Sequence, residues 1–554
     1  MCLIAVASRS FPQNFSGFLH FPLYGRKSFL YNRKNDPLER MGSIMEKRTS
    51  VFRSSARIVL TALAAVGFLA VCALSTTPLL QYNVGQDAAF FRLVGKGMTQ
   101  GMLPYRDFFD MKGPYLFLME YLGQLLFPGR TGAFLLECVC LFVTILFSLK
   151  CWDLAFADKR IPIWLSLVFL LPMGYVLSFT MTGGNLTEEL SLPFLMPCLY
   201  LFLGYLNRSR IPSPENQDHS VWAGSYYGLA FGVMAMIRVT NAALIGAILL
   251  TAVCNLLVWK RFRNLFSNGA MFLLGTALGV LPAVAWCAAN GILEEMLSQV
   301  FLFGFRYSGE SGLLDSLLSM GQVRLCLALL LLPAVPLVVY RLRDWKLWLF
   351  FAASAATVLV AALMGNGYCH YFVLVLPNMV FGGYLTVCGA KRGIPWRKEK
   401  QALCLILTGA LSLGILAVPW KLFRIRALEE ISYAMYCAHY GVEERQDYDA
   451  IQTLVERIPQ DQRGQVYVYG LDSCSAWYLQ ADMLPPVKYC DWQSHYIQLV
   501  PEIGEEIRTF LSSPDARWVV TGQGEMEPKA IGELLREKYQ VREKTEKYCL
   551  WEKN

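Results

Sequence analysis

About eleven stretches of roughly 16 to 23 predominantly apolar residues recur along this chain, each bounded by charged or turn residues. That recurrence constrains the fold more than any other feature. A lipid-exposed run of this length satisfies its backbone polar groups only as a helix, and eleven such helices exceed what one soluble core can hide. The runs lie near 58–80, 132–149, 161–180, 189–206, 222–237, 241–258, 268–288, 325–340, 346–364, 370–388 and 402–420. Arg238 and Asn241 interrupt one long apolar stretch and divide the fifth run from the sixth. Composition agrees with a bilayer as solvent: 55% of the 554 residues are hydrophobic and 17% charged, against about 25% charged in an average soluble domain. Mean hydropathy is +0.38. A soluble enzyme is excluded, and the expected fold is a multi-pass α-helical membrane protein.

The net charge of +8 becomes informative once it is located. With the N-terminus inside, the loops on that side (1–57, 150–160, 207–221, 259–264, 341–346 and 391–400) carry 26 basic residues, and the opposite side up to residue 420 carries eight. This threefold bias is the positive-inside signature, so the N-terminus is expected in the cytoplasm and the C-terminal part outside. Residues 421–554 hold 16 basic and 22 acidic residues, a net −6, which leaves +14 for the membrane part. Basic charge that marks cytoplasmic helix ends gives no reason to expect nucleic acid as a partner. Short β-rich runs at 465–470, 517–522 and 548–553 alternate with helical patterns, so 421–554 reads as an extracytoplasmic α/β accessory domain after a transmembrane domain at 58–420.

Residues 1–57 read as a cytoplasmic, disordered N-terminus without a cleavable signal peptide; Met41 or Met45 would put a basic leader directly before the first span. Most of the 16 cysteines fall within apolar runs, where Cys acts as a small hydrophobe, and only Cys437, Cys474, Cys490 and Cys549 belong to the outer segment. There is no CxxC pair, HExxH or His cluster to mark a metal site. The glycines of GKGMTQG (95–101) follow no strand and have the wrong spacing for a nucleotide loop.

The candidate chemistry lies in the loops of the outer side. The long loop 81–131 contains two apolar segments too short to span, Ala88–Lys96 and Pro114–Phe127, which read as helices at the membrane surface. Asp87 precedes the first of them where the first span emerges, at the edge of low dielectric, a setting that favours a carboxylate as a base. GGNLTEEL (183–190) puts Glu188 and Glu189 at the start of the fourth span, a position that the helix dipole alone would also favour for acids. MIRVTN (236–241) puts Arg238 at a span end, where an ionisable residue must snorkel, pair or bind something; its forked donors suit a phosphate. GNGYCHYF (365–372) brings His370 and Tyr371 to the same side. Asn185-Leu-Thr187 matches a glycosylation sequon but is pressed against the bilayer.

Taken together, Asp87, PYRDFFDMKGP (104–114), GGNLTEE and GNGYCHYFVLVLP resemble the bacterial GT-C glycosyltransferases, the group that includes the protein O-mannosyltransferases and the lipid A aminoarabinose transferase. The resemblance covers roughly 58–420. It implies a GT-C-like fold, a polyprenyl-phosphate sugar donor drawn from the membrane lipid phase, and inverting transfer to an extracytoplasmic glycan, lipid or protein. It implies Asp87 as the general base, and cations at the leaving phosphate, with Arg238 first and Lys112 and Arg106 after it. Asp107, Asp110, Glu188 and Glu189 would orient acceptor or loop, or hold a divalent ion; Asn185, Asn241, His370 and Tyr371 would line the site. Metal use varies within this group, and nothing in the sequence requires a metal. Some relatives carry a paired Asp-Glu at the first-loop position, whereas here Ala88 follows Asp87, so a second carboxylate must come from elsewhere. The competing reading is a transporter or flippase of lipid-linked saccharides. That reading predicts polar residues and broken helices through the midplane, whereas the ionisable residues here gather at span ends.

Overall fold

The computed structural model describes residues 37–79, 85–156, 160–181, 183–304, 321–364, 368–391, 443–471, 473–524, 526 and 528–554. Residues up to Ile58 form one unit, whose described part belongs to the helix Pro37–Cys72, and Val59–Asn554 form a second, compact unit. Among the described residues seven helices are long and apolar enough to cross a membrane: Ser55–Cys72, Arg130–Ala155, Thr187–Arg208, Val239–Val258, Phe262–Ala289, Trp345–Leu363 and Cys369–Ala390. Three of the expected eleven runs form shorter helices. Ile163–Thr180 carries Pro172 in its interior, Val221–Ala235 has 15 residues, and the run at 325–340 is divided into Gly321–Leu330 and Ala334–Val339, with Pro333 and Pro336 at the break. The run at 402–420 lies outside the described residues.

Close helix packing rests on glycine. Gly224, Gly228 and Gly232, spaced four apart, face Asn268, Phe272 and Gly279 of the helix Phe262–Ala289 in turn. A Cβ on Gly228 would stand 1.9 Å from the Phe272 carbonyl oxygen, and one on Gly275 would stand 2.0 Å from that of Ser225. Lipid offers no hydrophobic drive for helices to associate, so backbone approach at small residues supplies the contact. The outer face of Phe262–Ala289 shows Phe266, Leu273 and Leu281 exposed, as a lipid-facing surface requires. The helix Cys369–Ala390 is the most enclosed, with 94% of its apolar window buried.

The C-terminal part builds a four-stranded sheet in the order β1-β2-β4-β3, with β1 Val466–Tyr469, β2 Trp518–Gly522, β3 Tyr539–Lys544 and β4 Tyr548–Lys553. β1 pairs parallel to β2, and β4 is antiparallel to both of its neighbours. All four residues of β1 are buried, as a strand covered on both faces demands. The two expected loop helices form as Gln86–Thr99 and Pro114–Leu126. Their apolar sides are buried on protein: Phe90, Phe91, Leu93 and Val94 share one core with Leu116, Phe117, Trp477, Tyr478 and Val468. The sheet and the loop helices are thereby joined through a common core.

Replacing Gly228 with Val should therefore drive a side chain into the Phe272 backbone and cost roughly 1–3 kcal/mol, read as a lower melting temperature in detergent. Gly269→Ala, where nothing lies within 4 Å, should leave the melting temperature unchanged or higher. Equal behaviour of the two variants would contradict the glycine contact.

Candidate active site

At one end of the bundle a cavity of ≈ 130 Å³ is lined by Asp87, Asp110, Lys112, Arg238, His370 and Tyr371, and also by Trp492, His495 and Tyr496 of the α/β part. Each acid and base in it is placed by a local feature of the chain. Asp87 occupies the first turn of Gln86–Thr99, inside the helix rather than before it. Gly85 begins that helix with φ +81°, and a Cβ there would meet the Ser75 hydroxyl at 2.3 Å.

Asp110 and Lys112 lie on an irregular segment clamped at several points. Phe109 N–H donates to the Lys488 carbonyl at 2.9 Å, Gly113 N–H to that of Ile237 at 2.8 Å, and Tyr115 N–H to that of Met236 at 3.0 Å. Tyr105, at φ +68°, returns its hydroxyl to the Lys112 carbonyl at 2.8 Å. Gln299 accepts from the Asp110 N–H at 3.1 Å and donates to the Tyr105 carbonyl at 2.7 Å. A Cβ at residue 113 would stand 2.2 Å from the Met236 carbonyl oxygen, so glycine is needed there, and Pro114 starts the next helix at its first position. The buried Asp110 accepts the Lys112 N–H at 2.7 Å and faces its ammonium at 3.8 Å. Burial alone would pull Lys112 down, but the carboxylates of Asp110 and Asp87 outweigh it and hold the ammonium above its ordinary value. Lys112 is therefore charged at physiological pH.

Arg238 sits in extended backbone between Val221–Ala235 and the next helical turn, where the helix-end carbonyls of Met236 and Ile237 are free to accept the clamp. Its guanidinium donates to Glu188 at 3.1 Å and lies over the Tyr371 ring at 3.9 Å. Glu188 is buried and belongs to the first turn of Thr187–Arg208. His370 packs on Tyr371 at 4.1 Å and stacks on Tyr368 at 5.8 Å.

The remaining expected residues lie elsewhere. Arg106 and Asp107 pair with each other at 2.8 Å, largely exposed for Arg106, while Asp107 also accepts the Leu103 N–H at 2.7 Å. Asn241 donates to Ser191 at 2.8 Å and ties two spans together. Gly183, Gly184 and Asn185 are three successive residues at positive φ (99°, 92° and 62°). This turn aims the Asn185 N–H at the Glu137 carboxylate. Asn185 is buried, so its sequon is enclosed by protein. Glu189 points away from its neighbour Glu188 and lines a second, small cavity with Glu137.

That second locus is a buried polar cluster of Arg92, Glu120, Glu137, Glu189 and Asn185. Arg92, Glu120 and Glu137 were not among the expected site residues. Glu120, six residues after Pro114, is an isolated charge in an apolar helix, and that isolation was the available signal; Arg92 shares its helix with Asp87 and Lys96 and carried no such signal. Burial pushes the Glu120 carboxyl up to about 7 and pulls the Arg92 guanidinium down to about 10, each against the other's charge. Among the described residues no three His, Cys, Asp or Glu side chains converge as a metal-binding group. Asp110 and Glu188 are engaged by cations instead.

No family model matches the chain, and no curated protein does. The bundle with its appended α/β part shares its fold with solved ArnT structures, in keeping with the fold that the sequence resemblance implies. One such structure is that of ArnT from Cupriavidus metallidurans bound to undecaprenyl phosphate, to which the chain is similar with a TM-score of 0.56, 14% identity, and coverage of 90% of this chain and 98% of that one. The apo state of that protein matches with a TM-score of 0.54 at the same identity and coverage.

The Glu120 shift has a definite consequence for stability. Its folded-state value of about 7 lies above its ordinary 4.5, so the stability it contributes is fully present below about pH 4.5 and is lost as pH rises through about 7, by on the order of 3 kcal/mol. Glu120→Gln should flatten the fall in melting temperature between pH 5 and pH 8. A slope identical to wild type would show that Glu120 does not carry the effect.

Proposed function

We propose that the protein is a membrane glycosyltransferase that moves a sugar from a polyprenyl-phosphate donor to an extracytoplasmic acceptor, with inversion at the anomeric carbon. The observation that carries this reading is the convergence of two carboxylates, Asp87 and Asp110, and two cations, Lys112 and Arg238, on a single cavity at one end of the bundle. The solved structure sharing the fold is bound to undecaprenyl phosphate, which supports a lipid phosphate as the donor's anchor. A transporter would line the midplane with its ionisable groups; those lining this cavity sit at helix ends and in connecting segments, which favours the enzyme.

In this reaction a nucleophilic group of the acceptor attacks the anomeric carbon from the face opposite the phosphate. Asp87 takes the proton that the nucleophile sheds as its new bond forms. The bond from the anomeric carbon to the phosphate oxygen breaks, and the lipid leaves as a phosphate monoester with one more negative charge. Lys112 and Arg238 meet that charge as it develops. Glu188 and the Tyr371 ring hold the guanidinium plane in one orientation, and Asp110 anchors the Lys112 ammonium. The acceptor is a glycan, a lipid or a protein of the cell envelope. The basic bias of the loops supports an N-terminus in the cytoplasm and the α/β part outside, so the cavity opens where lipid-linked sugars are the available donors.

Asp87→Asn should abolish sugar transfer, a loss of at least about a hundredfold, while the protein still inserts and keeps its melting temperature; turnover near wild type would end the base assignment. Arg238→Ala should raise the KM for the lipid donor, and an unchanged KM and rate would return Arg238 to a purely structural role. Orientation is read with a cysteine label. Cys490 is buried, so Val541→Cys at an exposed strand position is the better probe. It should react with an impermeant maleimide in intact cells, and reaction only after permeabilisation would reverse the topology.

A further inference from the structure

Part of the cavity wall comes from the α/β part, and it is built with unusual care for a surface segment. Trp492 has a left-handed backbone, φ 53° and ψ 22°, a conformation that a residue with a side chain adopts at a cost and that collects at functional sites. The preceding residue holds it there. Asp491, itself buried, accepts the Trp492 N–H at 3.0 Å and the Cys474 N–H at 3.3 Å on one oxygen, and the Ser475 N–H at 3.1 Å on the other. Gln493 on the other side is also buried and donates to the carbonyls of Val468 at 3.0 Å and Tyr489 at 3.3 Å. Between these two braces Trp492 is only partly buried and lines the cavity.

The segment is also keyed to the first loop. Tyr496 packs edge-on against Phe109 at 5.1 Å and Phe303 at 5.5 Å, and Phe109 immediately precedes Asp110. The backbone that carries Trp492 is thus located relative to the acidic and cationic groups. His495 stands beside it, with ring centroids 6.2 Å apart, and Tyr368 lines the same cavity. An aromatic face next to a charged pocket matches one chemical object well: a pyranose ring, whose axial C–H groups form an apolar face and whose hydroxyls point outward. A ring carried on a braced backbone has less freedom to lose when such a face settles on it.

Resting on the glycosyltransferase reading, we propose that Trp492 is the platform on which a pyranose ring of the substrate stacks, with His495 at its edge, so that the α/β part sets sugar preference while the membrane part holds the phosphate. Two sources share that chemistry: the donor's sugar and a sugar of the acceptor.

The test uses the full-length protein in detergent. Affinities are measured for bare undecaprenyl phosphate, for undecaprenyl phosphate bearing glucose, mannose or 4-amino-4-deoxy-arabinose, and for the free methyl pyranosides of these sugars added to lipid-loaded protein. The expected result is that at least one sugar adds affinity, that Trp492→Ala lowers this gain about tenfold while binding bare undecaprenyl phosphate as wild type does, and that Trp492→Phe retains most of it. A gain seen on the sugar-bearing lipids assigns the platform to the donor, and one seen on the free pyranosides assigns it to the acceptor. A wild type to which no sugar adds affinity overturns the proposal, as does a Trp492→Ala variant that loses bare-lipid affinity in equal measure. Failure of the wild type to bind bare undecaprenyl phosphate would instead refute the underlying assignment of the cavity to a lipid phosphate.

Discussion

The site depends on a backbone clamp. Three main-chain hydrogen bonds, from Phe109 to Lys488, Gly113 to Ile237 and Tyr115 to Met236, fasten one short segment to two distant parts of the chain. The membrane bundle supplies two of the acceptors because the helix Val221–Ala235 stops just before them and leaves its last carbonyls unpaired within the helix. The same stop puts Arg238 in extended backbone at the cavity. One break in a span therefore places a cation and at the same time receives the loop that carries Asp110 and Lys112. Gly113 makes the contact possible, since any side chain there would collide with the Met236 carbonyl.

The electrostatics follow from this placement. Buried charges are costly unless paired, and each cation of the cavity has a carboxylate beside it, Glu188 for Arg238 and Asp110 for Lys112. Such pairing orients donors in advance of any anion. The adjacent acids of Thr187–Arg208 divide their work: Glu188 serves the cavity, and Glu189 turns to Glu137 in a cluster that also holds Arg92. Because Arg92 shares a helix with Asp87, that cluster bears on how firmly the helix with the proposed base is seated.

Much of this was legible in the sequence, for identifiable reasons. Apolar runs of span length reveal helices because lipid forbids the alternatives, and Asp87, Lys112, Arg238, His370 and Tyr371 stand out because ionisable or polar groups beside such runs need a purpose. Those five meet at one cavity. Arg106 ranked beside Lys112 and Asp107 beside Asp110, yet Arg106 and Asp107 sit next to each other in a turn and pair locally, a distinction that a linear pattern does not carry. The packing role of Gly224, Gly228 and Gly232 emerges only from the helix that faces them. Trp492 was not legible, because its place at the cavity comes from a long-range fold and from a left-handed backbone with no sequence period. The shorter helices at 163–180 and 221–235 and the break near 333 show how hydropathy alone blurs where a helix begins and ends. Proline and chain breaks divide apolar runs that hydropathy alone would join.

The central claim is that this cavity transfers a sugar to the cell envelope from a lipid phosphate. The most direct measurement is mass spectrometry of envelope glycans, glycolipids and glycoproteins from cells lacking the gene, complemented either with the wild-type chain or with Asp87→Asn at equal membrane abundance. The account predicts that one sugar modification disappears on deletion, returns with the wild type and stays absent with Asp87→Asn. An envelope unchanged by deletion, or restored equally by both chains, would contradict it.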